Sequence, residues 1–208
     1  YHSDCTPKGT YCFGEHDDKN VFYAGHNNFY YLGNSSYGCN LDAKDCADEE
    51  YSETPLRATG NDCFGSPGRN DWYDTVKLNY GIDYRTGNRC FSPVPNTWVK
   101  MLKILRYWAA MGIDGFRCDM VEMTPVEFWN WAVAKIKEEF PGIIFIGEIY
   151  QPHIYRSFIK EGHFDYLYDK VGLYDTLRAV MNGQTSANNI SYALQSTSDI
   201  RGNMLTFL

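Results

Sequence analysis

Hydrophobic and polar positions follow two different rules along this chain, and the change comes after Pro95. The stretch TWVKMLKILRYWAAM carries Trp98, Met101, Leu102, Leu105 and Trp108 at the i, i+3, i+4, i+7 spacing of one helical face. Asn96 or Thr97 can cap this helix, and Gly112 ends it. IDGFRCDM then reads as a short buried strand. Thr124 as N-cap and Pro125 in the first turn open a second helix, PVEFWNWAVAKIKEEF, which Pro141-Gly142 stops. IIFIGEI is a continuous apolar run, the pattern of a strand covered on both faces. After it, PHIYRSFIKEG predicts a helix, FDYLYD a strand, KVGLYDTLRAVMNG and ISYALQSTS two helices, and NMLTFL a terminal strand.

Strands alternating with helices place the second half of the chain in the α/β class, as βα repeats on a parallel sheet. A doubly wound sheet and a (β/α)8 barrel both satisfy the pattern. No G-x-G-x-x-G follows any strand, which weighs against a dinucleotide-binding version. The first half has no sustained period. GEHDDKN, YLGNSSYGCNLDAKDCADEE, TGNDCFGSPGRND and RTGNRCFSPVP are dense in turn formers, with NNFYYL and DTVKLNY as short strand candidates between them. Two domains are expected: a loop-rich one over 1–95 and the βα repeats over 96–208.

Composition narrows the function. Hydrophobic residues make up 44% of the 208, which excludes a disordered chain. A net charge of −7 argues against nucleic acid as a partner. Aromatic residues reach 16%, with 17 Tyr, and aromatic faces either pack or serve as platforms for sugars. No stretch approaches the roughly 20 apolar residues of a membrane span. The opening YHSDCTPKGT lacks a charged-then-apolar signal pattern, so any signal peptide is expected upstream of Tyr1.

Six of the seven cysteines, Cys5, Cys12, Cys39, Cys46, Cys63 and Cys90, fall in the turn-rich half. They predict up to three disulfides and an extracellular, periplasmic or cell-surface setting. Free thiols are the rival reading. Zinc is disfavoured, because the short spacings CTPKGTYC and CNLDAKDC contain no C-x-x-C. Cys118 is expected to be a free, buried strand residue.

In parallel α/β folds the chemistry gathers where strands end. GFRCD ends at Asp119 and IIFIGE at Glu148, one βα unit later. Adjacent strands lie about 5 Å apart, near the separation of about 5–5.5 Å between the two carboxyls of a retaining glycosidase. Arg117 shares a face with Asp119, two positions apart on a strand, and is expected to hold it ionised as a nucleophile. Glu148 follows an apolar run that favours its protonated form, which suits an acid. A bare Arg117–Asp119 ion pair, with Glu148 merely exposed, is the competing structural account.

GFRCDM at 115–120 and IFIGEIY at 144–150 resemble the nucleophile and acid/base motifs of the α-amylase family of glycoside hydrolases. YHSD, NNFYY and DTVKLNY resemble the excursion domain that interrupts that family's barrel, and NMLTFL its seventh strand. The resemblance implies a (β/α)8 barrel, of which this chain would hold about strands four to seven behind the excursion domain. It also implies a retaining reaction on the α-1,4-glucosidic bonds of starch-like glucans or malto-oligosaccharides. Asp119 would be the nucleophile, Glu148 the acid/base and Arg117 the residue that orients Asp119, with Tyr150 and Glu122 binding substrate.

The departures are specific. The family's third catalytic carboxylate would fall just past Leu208, so the isolated 208-residue piece is expected to be inactive and to self-associate through open strand edges. Val121-Glu122-Met123 stands where many α-amylases carry Lys-His, which leaves room for oligosaccharide hydrolases and transglycosylases. Lys77-Leu78-Asn79 stands in place of D-L-N. Calcium is common in the family's excursion domain, and Asp62, Asp71 and Asp74 offer oxygen ligands, though solvated acidic loops explain them as well. A non-enzymatic amylase-like ectodomain and a carbohydrate-binding relative are the alternatives.

Overall fold

The computed structural model describes residues 12–33, 53–61, 63, 70–72 and 75–207. Cys5, Cys39, Cys46, Asp62, Asp74 and the YHSD opening lie outside the described residues. The chain divides into two compact units, Tyr1–Met101 and Leu102–Leu208, the boundary falling within the first helix, α1 (Asn96–Ala110).

In the first unit the strand candidates do not become ladders. Among the described residues four isolated antiparallel bridges, Phe29–Leu78, Tyr31–Arg57, Thr59–Val76 and Ile82–Arg89, take their place. Side chains then satisfy the backbone that pairing leaves over. The Asp17 carboxylate accepts from the Asn28 and Phe29 amides at 2.8 and 3.0 Å and from the Tyr31 hydroxyl at 3.1 Å. Asn79, wholly buried, donates to the Ala24 carbonyl at 3.0 Å and accepts from the Gly81 amide at 2.9 Å. Phe22, Tyr30, Ala58 and Cys63 form the core of this unit. Cys12 is disulfide-bonded, whereas Cys90 is an exposed free thiol. With Cys90 free, the six cannot form three bridges among themselves, the upper limit of what was expected.

The second unit is α/β. Strands β1 (Gly115–Cys118), β2 (Ile144–Gly147), β3 (Tyr166–Tyr168) and β4 (Met204–Leu205) form one parallel sheet in sequence order. Helix α2 (Val126–Glu139) joins β1 to β2, and α3 (Tyr155–Lys160) joins β2 to β3. A π-helical turn (Lys170–Tyr174), α4 (Asp175–Met181) and α5 (Asn188–Ser196) lead to β4. The core is an aromatic chain. Phe116 meets Phe145 at 5.2 Å between ring centroids, Phe145 meets Phe164 at 6.2 Å, and Trp129 meets Phe164 at 5.0 Å. From α2, Phe128, Ala132, Val133 and Ile136 complete it at 1% exposure or less.

Several local expectations change. The buried stripe of α1 runs Trp98, Leu102, Leu105, Ala109, so Trp108 falls one position off it and is half exposed. Thr124 does not cap α2. Its hydroxyl turns back to the Val121 carbonyl at 3.0 Å, and Pro125 occupies the cap position without a side-chain bond. Neither β1 nor β2 is buried throughout. β1 is an outer strand of the sheet with Arg117 exposed, and Ile144 at the head of β2 is 40% exposed.

Candidate active site

Register brings the two sequence-predicted carboxylates to one edge of the sheet. Cys118 pairs with Gly147, so the next residues, Asp119 and Glu148, leave neighbouring strands at the same level. The Glu148 amide donates to the Cys118 carbonyl at 3.0 Å, and the Val121 amide returns to the Glu148 carbonyl at 3.0 Å. Gly147 is closely packed there. A Cβ would stand 2.9 Å from Leu167 Cδ2 and 3.0 Å from Phe164 Cδ1, so a larger residue would push these core side chains back from behind Glu148.

Arg117 reaches both carboxylates. Its Nη1 donates to Asp119 Oδ1, and its Nη2 lies 3.0 Å from Glu148 Oε2. The expectation that it serves Asp119 alone is thus too narrow, because one planar guanidinium can span two acceptors side by side. Its hydrogen bond holds the Asp119 carboxyl below the usual carboxylate range, and a hydrogen bond with Glu148 acts in the same direction. The guanidinium's own pKa is raised in return, chiefly by Asp119. What separates the carboxylates is access. The Asp119 side chain is 64% exposed and that of Glu148 only 16%.

Three segments converge on Glu148. From β1 comes Arg117. From the residue after Asp119 comes the Met120 amide, donating to Oε2 at 3.3 Å. From beyond β2 comes the Tyr150 hydroxyl, donating to Oε1 at 3.0 Å. That bond to a carboxylate raises the pKa of the Tyr150 phenol. Met120 aims its amide by adopting a left-handed backbone, φ 42° and ψ 50°, an uncommon conformation for a side chain of its kind. The turn that follows, Val121–Met123, is pinned by α2, whose Trp129 indole donates to the Val121 carbonyl at 3.2 Å. Glu122 faces the same rim, and its Oε2 accepts from the backbone amides of Tyr150 and Gln151 at 3.1 and 3.2 Å.

Cys118 sits between the two key charges as a free thiol. Burial pushes it up to about 12, so it is an inert packing group. Sequence reasoning missed Asp169, which follows β3 as Asp119 follows β1. It is 1% exposed at its side chain and pairs with Arg201 Nη1 at 2.6 Å. The repeated strand–carboxylate pattern in FDYLYD was the available signal. For a divalent ion, no three His, Cys, Asp or Glu side chains among the described residues stand close enough to form a site. Among those residues no helix is long and apolar enough to cross a membrane.

Known proteins bear on this geometry. No family model matches the chain. Among curated proteins it is 33% identical over 66 residues to an alpha-1,4-glucan:maltose-1-phosphate maltosyltransferase of Rhodospirillum rubrum, covering 31% of this chain and 10% of that protein. A Picrophilus torridus protein of the same name is 30% identical over 79 residues, covering 38% of this chain and 11% of that one. The matched stretch is thus about a tenth of either relative. Among solved structures, the cyclic alpha-maltosyl-(1→6)-maltose hydrolase of Arthrobacter globiformis in complex with maltose aligns with a TM-score of 0.54 at 17% identity. That alignment covers 73% of this chain and 31% of the hydrolase, a likeness of fold. Over the stretches matched the chain is similar to these α-glucan-acting proteins, in keeping with the α-amylase-family resemblance of GFRCDM and IFIGEIY.

Proposed function

We propose that this chain carries part of the catalytic region of a retaining enzyme acting on α-1,4-glucosidic bonds of starch-like glucans or malto-oligosaccharides. Its sheet would be part of a (β/α)8 barrel, about strands four to seven, with the first unit as the excursion domain. The observation that carries the reading is Arg117 joining Asp119 and Glu148 at the ends of adjacent parallel strands.

In the first step the Asp119 carboxylate attacks the anomeric carbon. The glycosidic C–O bond breaks, Glu148 gives its proton to the departing oxygen, and a covalent glycosyl-enzyme remains. In the second step Glu148 takes a proton from the incoming water or sugar hydroxyl, whose oxygen displaces Asp119. Exposure fits the nucleophile's role, because Asp119 must meet the sugar. Arg117 orients Asp119 and keeps it ionised. Tyr150 and Glu122 border the rim on which substrate would lie.

The maltosyltransferase relatives favour a second reading, transfer to another sugar in place of hydrolysis. The same two carboxyls serve both, since the acceptor alone differs. The disulfide at Cys12 supports an extracellular, periplasmic or cell-surface setting, where such bridges persist.

The test is to incubate the full-length protein with maltoheptaose and follow product anomers by NMR, beside Asp119→Asn. Early α-anomeric products that vanish in the variant are expected, and elongated products would mark transfer. An intact protein that leaves α-glucans untouched would refute the reading.

A further inference from the structure

Glu122 makes contacts that a group meant only for substrate does not need. It sits on a fixed base. Val121, its neighbour, is wholly buried, and the Val121 carbonyl accepts from the Trp129 indole and the Thr124 hydroxyl at 3.2 and 3.0 Å. From there the carboxylate crosses to the segment after β2 and takes two consecutive amides, Tyr150 and Gln151, on one oxygen. That segment has no regular structure of its own between β2 and the turn at Pro152–Ile154. Tyr150 is 42% exposed, so packing alone does not fix its ring. Yet its hydroxyl is the one described hydrogen-bond donor to Glu148 Oε1, while Oε2 takes Arg117 and Met120.

Resting on the reading of Glu148 as acid/base, we propose that Glu122 is a positioning residue that clamps the Tyr150 backbone, so that the Tyr150 hydroxyl holds Glu148 Oε1 toward the leaving oxygen. The chain of contacts runs from the loop after the nucleophile strand to the acid on the next strand. It thereby couples the spacing of the two carboxyls to one side chain. A charge-assisted acceptor suits the task, because it binds two amides more firmly than a neutral one would. A shorter Asp at position 122 would fall a methylene short of the crossing.

The experiment compares two substrates of the full-length protein that differ only in how much help the leaving group needs. One is an α-maltotrioside with an electron-poor nitrophenyl leaving group, which departs without protonation. The other is methyl α-maltotrioside, which depends on the acid. kcat/KM is measured for Glu122→Ala, Glu122→Gln, Tyr150→Phe and, as reference, Glu148→Gln. Mispositioning a general acid that supplies about 10²–10⁴-fold is expected to cost Glu122→Ala and Tyr150→Phe roughly tenfold on the methyl glycoside and little on the nitrophenyl one. Glu122→Gln, which keeps one acceptor oxygen, falls between them and wild type.

Equal losses on both substrates, or none on either, would overturn the clamp and leave Glu122 a loop tie. Should Glu122→Ala fail to fold, Glu122→Gln and Tyr150→Phe decide the matter alone. If Glu148→Gln shows leaving-group dependence and the Glu122 variants do not, the clamp fails and the functional reading stands. If Glu148→Gln shows none, both fall together.

Discussion

Asp169 offers the sharpest test of how the end of β3 is held. Its side chain is 1% exposed, at the end of β3, where a bare carboxylate would be costly. Arg201 Nη1 meets Oδ2 at 2.6 Å, and the Leu173 amide donates to Oδ1 at 2.9 Å, closing the π-helical turn that follows. Arg201 continues to Thr206 beyond β4 at 2.6 Å, so the pair laces the ends of two adjacent strands. Breaking a buried pair by removing one partner costs about 3–5 kcal/mol. Arg201 is 32% exposed and can turn to water, which points to the lower end, about 3 kcal/mol. Orphaning the Leu173 amide adds about 1 kcal/mol. Asp169→Ala should therefore destabilise the second unit by about 4 kcal/mol, and Asp169→Asn, which keeps the Leu173 bond, by about 3 kcal/mol. With a urea slope of about 2 kcal/mol per molar, the midpoint for Asp169→Ala should fall by roughly 2 M in far-UV circular dichroism. The paired replacement Asp169→Leu with Arg201→Met should be close to neutral, since buried ion pairs exchange for apolar groups at little cost. A midpoint for Asp169→Ala within about 0.3 M of wild type would refute the reasoning.

Other expectations concern the site and its core. Asp119 is held ionised by Arg117, so a carboxylate of lowered pKa should keep the acid limb of kcat/KM below the usual carboxylate range. Arg117→Ala returns the pKa of Asp119 toward that range and should move the limb to higher pH; an unmoved limb would separate Arg117 from the nucleophile. Phe145→Ala empties the centre of the aromatic chain, where the ring is wholly buried, and should cost about 3–5 kcal/mol in a denaturant titration. In thiol alkylation at neutral pH, exposed Cys90 should label fast while Cys118, pushed up to about 12 by burial, should stay unmodified until the chain unfolds.

Much of the α/β half was legible because its period is local. The helical stripe from Trp98 and the apolar run before Glu148 each mark an element that forms where they place it, though neither is buried as fully as its pattern predicts. What failed were details set by particular partners, which no period announces. Thr124 looks like a helix cap in isolation, but its hydroxyl donates to the Val121 carbonyl and Pro125 holds the cap position. The turn-rich half predicted strands from NNFYYL and DTVKLNY, and the chain made single bridges. Its amides are satisfied by Asp17, half-buried, and by buried Asn28 and Asn79, side chains whose partners no periodicity announces.

The site divides along the same line. Asp119 and Glu148 could be found because strand ends in a parallel sheet are equivalent positions, and a register of Cys118 with Gly147 makes them neighbours. By that logic Asp169 is equivalent too, yet it is not equivalent chemically. Arg201, from the turn before β4, reaches back and buries it, while Arg117, from within β1, leaves Asp119 open to solvent. The position of a carboxylate on a strand is thus encoded locally, whereas its role follows from which arginine meets it and how much water remains. That second property belongs to contacts between strands, and it separates a carboxylate open to solvent from one locked in a buried ion pair.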